Sequence, residues 1–120
     1  MLSQRDIGGI AEQIAKDHLQ KSGMQVIETN WYHGHLELDI IARDGNELVI
    51  VEVKTRCSAF FGEPYLFVSQ QKQKALIRAA NAYIKYKKLS MNTRFDIISI
   101  IINTHKRELR HIKDAFYPSL

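Results

Sequence analysis

One cysteine, Cys57, in 120 residues leaves no internal disulfide framework and no cysteine-rich zinc site, which suits a reducing cytoplasm. Long apolar runs are missing too. Nothing reaches the ~18 consecutive apolar residues of a membrane span, and residues 1–6 lack the apolar run behind a basic start that marks a secretory leader. The expected setting is cytoplasmic, with no membrane partner. No repeat, low-complexity tract or linker divides the chain, so residues 1–120 are expected to form a single domain around one core. Charge of one sign is not overwhelming: 17 Lys and Arg against 13 Asp and Glu give +4, and the pI is near 9.3. That bias suits a polyanionic partner without demanding one.

What the chain does have is charge in an unusual place. Two apolar segments, Leu36-Glu37-Leu38-Asp39-Ile40-Ile41-Ala42 and Leu48-Val49-Ile50-Val51-Glu52-Val53-Lys54, carry acids and a lysine inside them. Strands this apolar are buried on both faces, so the charges need a compensating partner, and a bound metal ion is the leading candidate. Residues two apart on a strand share a face, about 6.5–7 Å apart, which groups Glu37 with Asp39 and Glu52 with Lys54. Pairing of the two strands through the short connection at residues 43–47 lets Asp39, Glu52 and Lys54 converge.

The rest of the pattern supplies a frame. Ile7, Ile10, Ala11, Ile14, Ala15 and Leu19 recur at helical spacing, with Gly23 as a stop. Residues 24–31 read as a strand that ends at the His33-Gly34-His35 turn, and Asp44-Gly45-Asn46 is a hairpin signal between the two acidic strands. Residues 57–68 form a loop rich in aromatics (Phe60, Phe61, Tyr65, Phe67), after which Ser69 caps a helix running to about Lys88. Residues 95–102 are a strand and residues 108–113 a last edge strand. This order predicts an α/β fold, a mixed sheet with helices packed on it. The connection from the third strand through the second helix is a β-α-β crossover, so the flanking strands should run parallel.

Gly9-x-x-Glu12, Glu37-Leu38-Asp39-Ile40-Ile41, Val51-Glu52-Val53-Lys54-Thr55-Arg56, Gly62-x-Pro64, Lys72 and Arg94-Phe95-Asp96 occur in that order, nearly end to end. The set resembles the YraN family of bacterial proteins, which is similar to archaeal Holliday-junction resolvases and belongs to the PD-(D/E)XK restriction-endonuclease-like superfamily. The chain departs from the usual pattern at Leu36 and Ala11, where the family commonly has Gly; neither departure removes a charged group. The resemblance implies a restriction-endonuclease-like mixed sheet flanked by helices and a Mg²⁺- or Mn²⁺-dependent endonuclease acting on DNA, branched or structured DNA included.

Hard cations take oxygen ligands, and Mg²⁺ typically needs only one or two protein carboxylates besides water and phosphate, so Asp39 and Glu52 suffice. By the superfamily's pattern the Val53 carbonyl is a third ligand, Lys54 orients or deprotonates the attacking water, and Glu12 reaches the site from the first helix. Glu37 either orients a ligand through a hydrogen bond or is neutralised by Arg56 or another base. Lys74, Arg78, Lys85 and Lys88 line one face of the second helix as a phosphate-tracking surface, and Lys72, matching the family's lysine, can reach the scissile phosphate.

Blander readings stand beside these. Asp39, Glu52 and Lys54 can form a metal-free ion-pair cluster, although one ammonium does not neutralise two carboxylates, with Glu37 a third beside them. The basic helical face can be simply solvated. Arg94 and Asp96 read most simply as a same-face pair holding the sheet edge, and His33 and His35 as exposed turn residues. Trp31 and Tyr32 can pack at the core rim or stack on a base, while the loop aromatics pack the core edge, a lid or a homodimer interface. The rival functions are a non-catalytic nucleic-acid-binding module and a protein-interaction subunit of a DNA-processing assembly.

Overall fold

In a computed structural model the described residues are 3–58, 62 and 68–118. Two helices and five strands follow one another as α1 (Gln4–Lys21), β1 (Gln25–His33), β2 (Leu36–Asp44), β3 (Glu47–Arg56), α2 (Gln70–Lys87), β4 (Asn92–Ile102) and β5 (Arg107–Phe116). The strands lie in a single sheet in chain order, β1-β2-β3-β4-β5. Only β3 and β4 are parallel, as the crossover through α2 requires; the other neighbours are antiparallel.

Helix α1 starts at a reciprocal cap. Ser3 Oγ accepts from the Asp6 N–H at 3.1 Å, and the Asp6 carboxylate accepts from the Ser3 N–H at 3.2 Å. Its buried stripe, Ala11, Ala15 and Leu19, is small at two of three positions and lets the helix settle closely on the sheet. The Ser69 hydroxyl caps α2 by accepting from the Lys72 N–H, and Lys88 ends it in the left-handed conformation. Lys88 therefore leaves the helical row in which the sequence placed it.

Two cores result, one on each face of the sheet. Leu48 and Ile50 of β3 and Phe95 and Ile97 of β4 pack with Leu76, Ala80 and Tyr83 of α2, whereas Val49, Val51, Ile98 and Ile100 pack with α1. Burial on both faces explains why β3 and β4 read as nearly unbroken apolar runs. The strand expected at residues 95–102 begins three residues earlier, and the last strand extends to Phe116. Because β4 lies between β3 and β5, the Arg94–Asp96 pair is inside the sheet and not at its edge. The loop aromatics Phe60, Phe61, Tyr65 and Phe67 lie outside the described residues. Among the described residues no helix is long and apolar enough to cross a membrane.

One irregularity matters for the site. In β2, Leu38 and Ile41 join the α2-side core while Ile40 and Ala42 join the α1-side core, so the strand's alternation slips between Asp39 and Ile41. The β2–β3 ladder begins only at Ile40↔Val51. Beyond it the strands are open.

Candidate active site

Where that ladder stops, Asp39 replaces the missing partner. Its Oδ2 accepts from the Val53 N–H at 2.9 Å, so a side chain takes the place of a strand carbonyl and the two acidic strands are joined through a carboxylate. Burial pushes the Asp39 carboxyl up to about 9, helped by a hydrogen bond and charge from Glu52 and opposed by the Val53 N–H. Asp39 and Glu52 therefore do meet. Glu52 is buried, and its Oε2 lies 3.5 Å from the Lys72 Nζ at the start of α2.

The opposite strand is distorted at the same level. Thr29 pairs with Ile40 and Trp31 with Leu38, which sets Asn30 opposite Asp39, and Asn30 adopts a φ of 52°. Asn is among the few residues that accept this left-handed conformation readily. Its amide donates to Glu37 Oε2 at 3.1 Å and to Glu12 Oε2 at 3.4 Å, tying α1 to β2. Glu12, Glu37 and Asp39 line a cavity of about 210 Å³ with Asn30, Val53 and Thr55. The exposed Tyr32 phenol is hydrogen-bonded to Glu37 and faces the charges of Asp39 and Glu12, which raises its pKa above the ordinary value.

The expected residues are thus distributed as follows. Asp39, Glu52 and the Val53 backbone form the centre, Glu12 and Glu37 share its α1-side cavity, and Lys72 reaches Glu52 from the α2 side. Strand alternation puts Lys54 on the same face as Glu52, half-buried, and among the described residues no hydrogen bond or ion pair holds it to either acid. Arg56 is exposed and donates from Nη1 to the Thr55 carbonyl at 3.0 Å, while Glu37 is held by Asn30 and Tyr32. Lys74, Arg78 and Lys85 are exposed along α2. His33 is exposed with its ring parallel to Trp31, and Trp31 packs edge-on against Tyr83 at 5.1 Å.

A buried Glu52 beside a partly buried Asp39, with a single lysine 3.5 Å from Glu52, is short of positive charge, and the oxygen donors fit a hard divalent cation. Among the described residues no three His, Cys, Asp or Glu side chains form a complete metal cage. A two-carboxylate centre completed by a carbonyl, water and substrate phosphate is the kind Mg²⁺ uses.

A second polar cluster escaped the sequence reading. Asp96, fully buried, accepts from Arg94 Nε and Nη2 at 2.9 and 3.0 Å, from the Asp114 N–H at 3.0 Å and from His111 Nε2 at 2.7 Å. Arg94 also reaches Asp44 at 3.0 Å and Glu47 at 3.3 Å, closing the β2–β3 hairpin end. Burial alone raises the Asp96 pKa; hydrogen bonds from His111, Arg94 and the Asp114 N–H outweigh it and hold the carboxyl below the usual range. An ionised Asp96 can only accept, so His111 donates through Nε2, and its Nδ1 shares a 3.0 Å hydrogen bond with His18 Nε2 on α1. Nothing in local spacing joins residues 18, 96 and 111; the sole signal was a charged pair within the apolar strand β4.

Comparison with known proteins agrees along nearly the whole chain. Residues 11–100 match the family described as Uncharacterised protein family UPF0102. A UPF0102 protein of Flavobacterium johnsoniae is 41% identical over 121 residues, covering 98% of each chain. One from Bacteroides thetaiotaomicron is 42% identical over 120 residues, covering 100% of this chain and 99% of the relative. A UPF0102 protein of Clostridium beijerinckii is 39% identical over 115 residues, covering 93% of this chain and 94% of the relative. With the family match spanning Glu12, Asp39, Glu52, Lys54 and Lys72, and relatives above 40% identity end to end, this chain belongs to the UPF0102, or YraN, family.

Proposed function

We propose that this protein is a divalent-metal-dependent DNA endonuclease. The observation that carries the reading is the meeting of a partly buried Asp39 with a buried Glu52 where positive charge is scarce, the Asp39 carboxyl pushed up to about 9 by desolvation and by the other acid. A fold built only for stability gains nothing from this, since apolar residues of similar size serve at least as well. Asp39 and Glu52, with the Val53 carbonyl, are the groups that would hold Mg²⁺ or Mn²⁺. The ion, when bound, supplies positive charge to a phosphodiester and acidity to a water.

The chain's own residues do the rest. Lys54, on the Glu52 face of β3 and free of ion pairs among the described residues, would hold the attacking water's proton and offset charge developing on the phosphoryl oxygens. Glu12, drawn toward Glu37 through Asn30, sits across the cavity from Asp39 and orients solvent there. Lys72 steadies Glu52 and is the first cation of a row that continues with Lys74, Arg78 and Lys85 along α2, where phosphates can be held.

The test is cleavage of linear, flapped, forked and four-way DNA with Mg²⁺ or Mn²⁺. Asp39→Asn, Glu52→Gln and Lys54→Ala are each expected to lose cleavage by several orders of magnitude while keeping DNA affinity within a few fold, because their stabilisation is felt in the transition state. A wild-type protein that binds the panel and cuts none of it supports the non-catalytic binding module instead.

A further inference from the structure

A second cavity, of about 440 Å³, lies on the other flank of α2, between that helix and the residues that follow β5. Lys74 and Arg78 line it one helical turn apart, together with Gln70, Gln73 and Tyr117, the Gln73 amide already donating to the Val68 carbonyl at 3.2 Å. Lys72, which touches Glu52, is about 200° around the helix from Lys74, so this recess and the acidic centre flank the same first turns on opposite sides.

Three features point to one kind of occupant. Like charges at i and i+4 repel, yet among the described residues Lys74 and Arg78 have neither an ion pair nor a hydrogen bond, and the first turn of α2 contains no acid. The Tyr117 ring is 69% exposed, a large aromatic surface left beside two cations. Finally, the recess is the size of a small-molecule site and combines an anion-binding wall, an aromatic face and an amide. Phosphate, base and base edge make those three demands together. A base in a continuous duplex cannot meet them, because it is stacked and paired; only an unstacked nucleotide can enter.

We propose that this cavity binds one nucleotide of a single-stranded segment, its phosphate between Lys74 and Arg78, its base against Tyr117 and a base edge at Gln70. The proposal rests on the nuclease reading for the identity of the polymer and deepens it. A strand crossing the first turns of α2 would occupy the recess with a nucleotide a few positions from the one being cut, because the helix is about 10–12 Å across, so the substrate class is DNA with a single-stranded stretch near the scission point, as in flaps, forks and open junctions.

The test is binding in chelator, where no cleavage occurs, of a single-stranded oligodeoxynucleotide carrying 2-aminopurine and of the duplex of the same sequence. The single strand is expected to bind at least about tenfold more tightly, with a change in 2-aminopurine fluorescence, and Tyr117→Ala to remove about tenfold of that affinity. Tyr117→Phe keeps the ring and should stay within about twofold of wild type. Replacing both Lys74 and Arg78 with Gln should reduce the single-strand salt slope by about 1.4. Equal single-strand binding by wild type and Tyr117→Ala, or a preference for duplex, overturns the proposal. Tyr117 is too exposed to be needed for folding, and an unchanged melting temperature confirms that the comparison is fair. Since no metal is present, a failure to cut DNA in the Mg²⁺ assay leaves this result standing, and a failure here leaves an active nuclease standing.

Discussion

At Asp39 backbone irregularity and charge chemistry coincide. The carboxylate takes the Val53 N–H that strand β2 no longer satisfies, and it does so beside Glu52. A carboxyl whose pKa is raised from 3.8 in the unfolded chain to about 9 in the folded one binds more protons when folded, so stability falls as pH rises through that interval. Removing the charge removes the slope. Asp39→Asn, whose amide oxygen can still accept from Val53, is expected to raise the metal-free melting temperature at pH 8 by a few degrees, corresponding to about 1–2 kcal/mol. The gain should shrink toward pH 5. The same variant should lose any stabilisation by millimolar Mg²⁺ or Mn²⁺, which in the wild type arises by mass action. Thermal melts across pH, with chelator and with metal, check both halves; a variant less stable than wild type at pH 8 points to an ion-pair scaffold in which Asp39 is needed as a charge.

Between elements, the longest-range device is the chain of groups that straps α1 to β4 and β5: His18, His111, Asp96 and Arg94. The His18 pKa is lowered by burial, by His111 and by Lys113. A histidine that resists protonation when folded leaves the unfolded state with more protons below the ordinary value of 6.5, so stability is lost as pH falls from that value toward the lowered one. Asp96, lowered by its donors, adds its own loss further into acid, below its ordinary 3.8. His18→Gln keeps an amide that can donate to or accept from His111, and it cannot charge. Its melting temperature between pH 7 and pH 5 should therefore fall less steeply than that of the wild type, measured by calorimetry, and parallel curves would remove His18 from the strap. This cluster also marks where sequence reading stops. Periodicity exposed α1 and α2 because each is a local pattern, the crossover rule gave the parallel β3–β4 pair, and strand alternation placed Glu37 with Asp39 correctly. Partners 93 residues apart, as His18 and His111 are, leave no local pattern. Asn30 escaped for a different reason: its φ of 52° depends on the register of β1 against β2, and an Asn within a strand does not by itself mark a left-handed residue. The Lys72–Glu52 contact likewise follows from where α2 docks, not from spacing.

Across the whole molecule the +4 charge is unevenly placed. Acids gather in the cavity of Glu12, Glu37 and Asp39 and at the Asp44–Glu47 hairpin end, where Arg94 answers them. Lys74, Arg78 and Lys85 stand exposed on α2 with no acid in its first turn. On the proposed nuclease reading, a polyanion would be repelled near the acidic cavity until a cation occupied it and would be held by the helix, separating binding from catalysis in space. Each phosphate contact on duplex DNA releases counterions and contributes about −0.9 to the log–log slope of affinity against salt. Replacing any two of Lys74, Arg78 and Lys85 with Gln should flatten that slope by about two units, whereas a uniform effect of net charge would spread a smaller change over any two surface lysines, Lys16 and Lys21 of α1 included. The measurement is anisotropy of a labelled duplex titrated between low and physiological salt. If the α2 and α1 double variants lose the same slope, the row on α2 is a solvated face and DNA is held elsewhere.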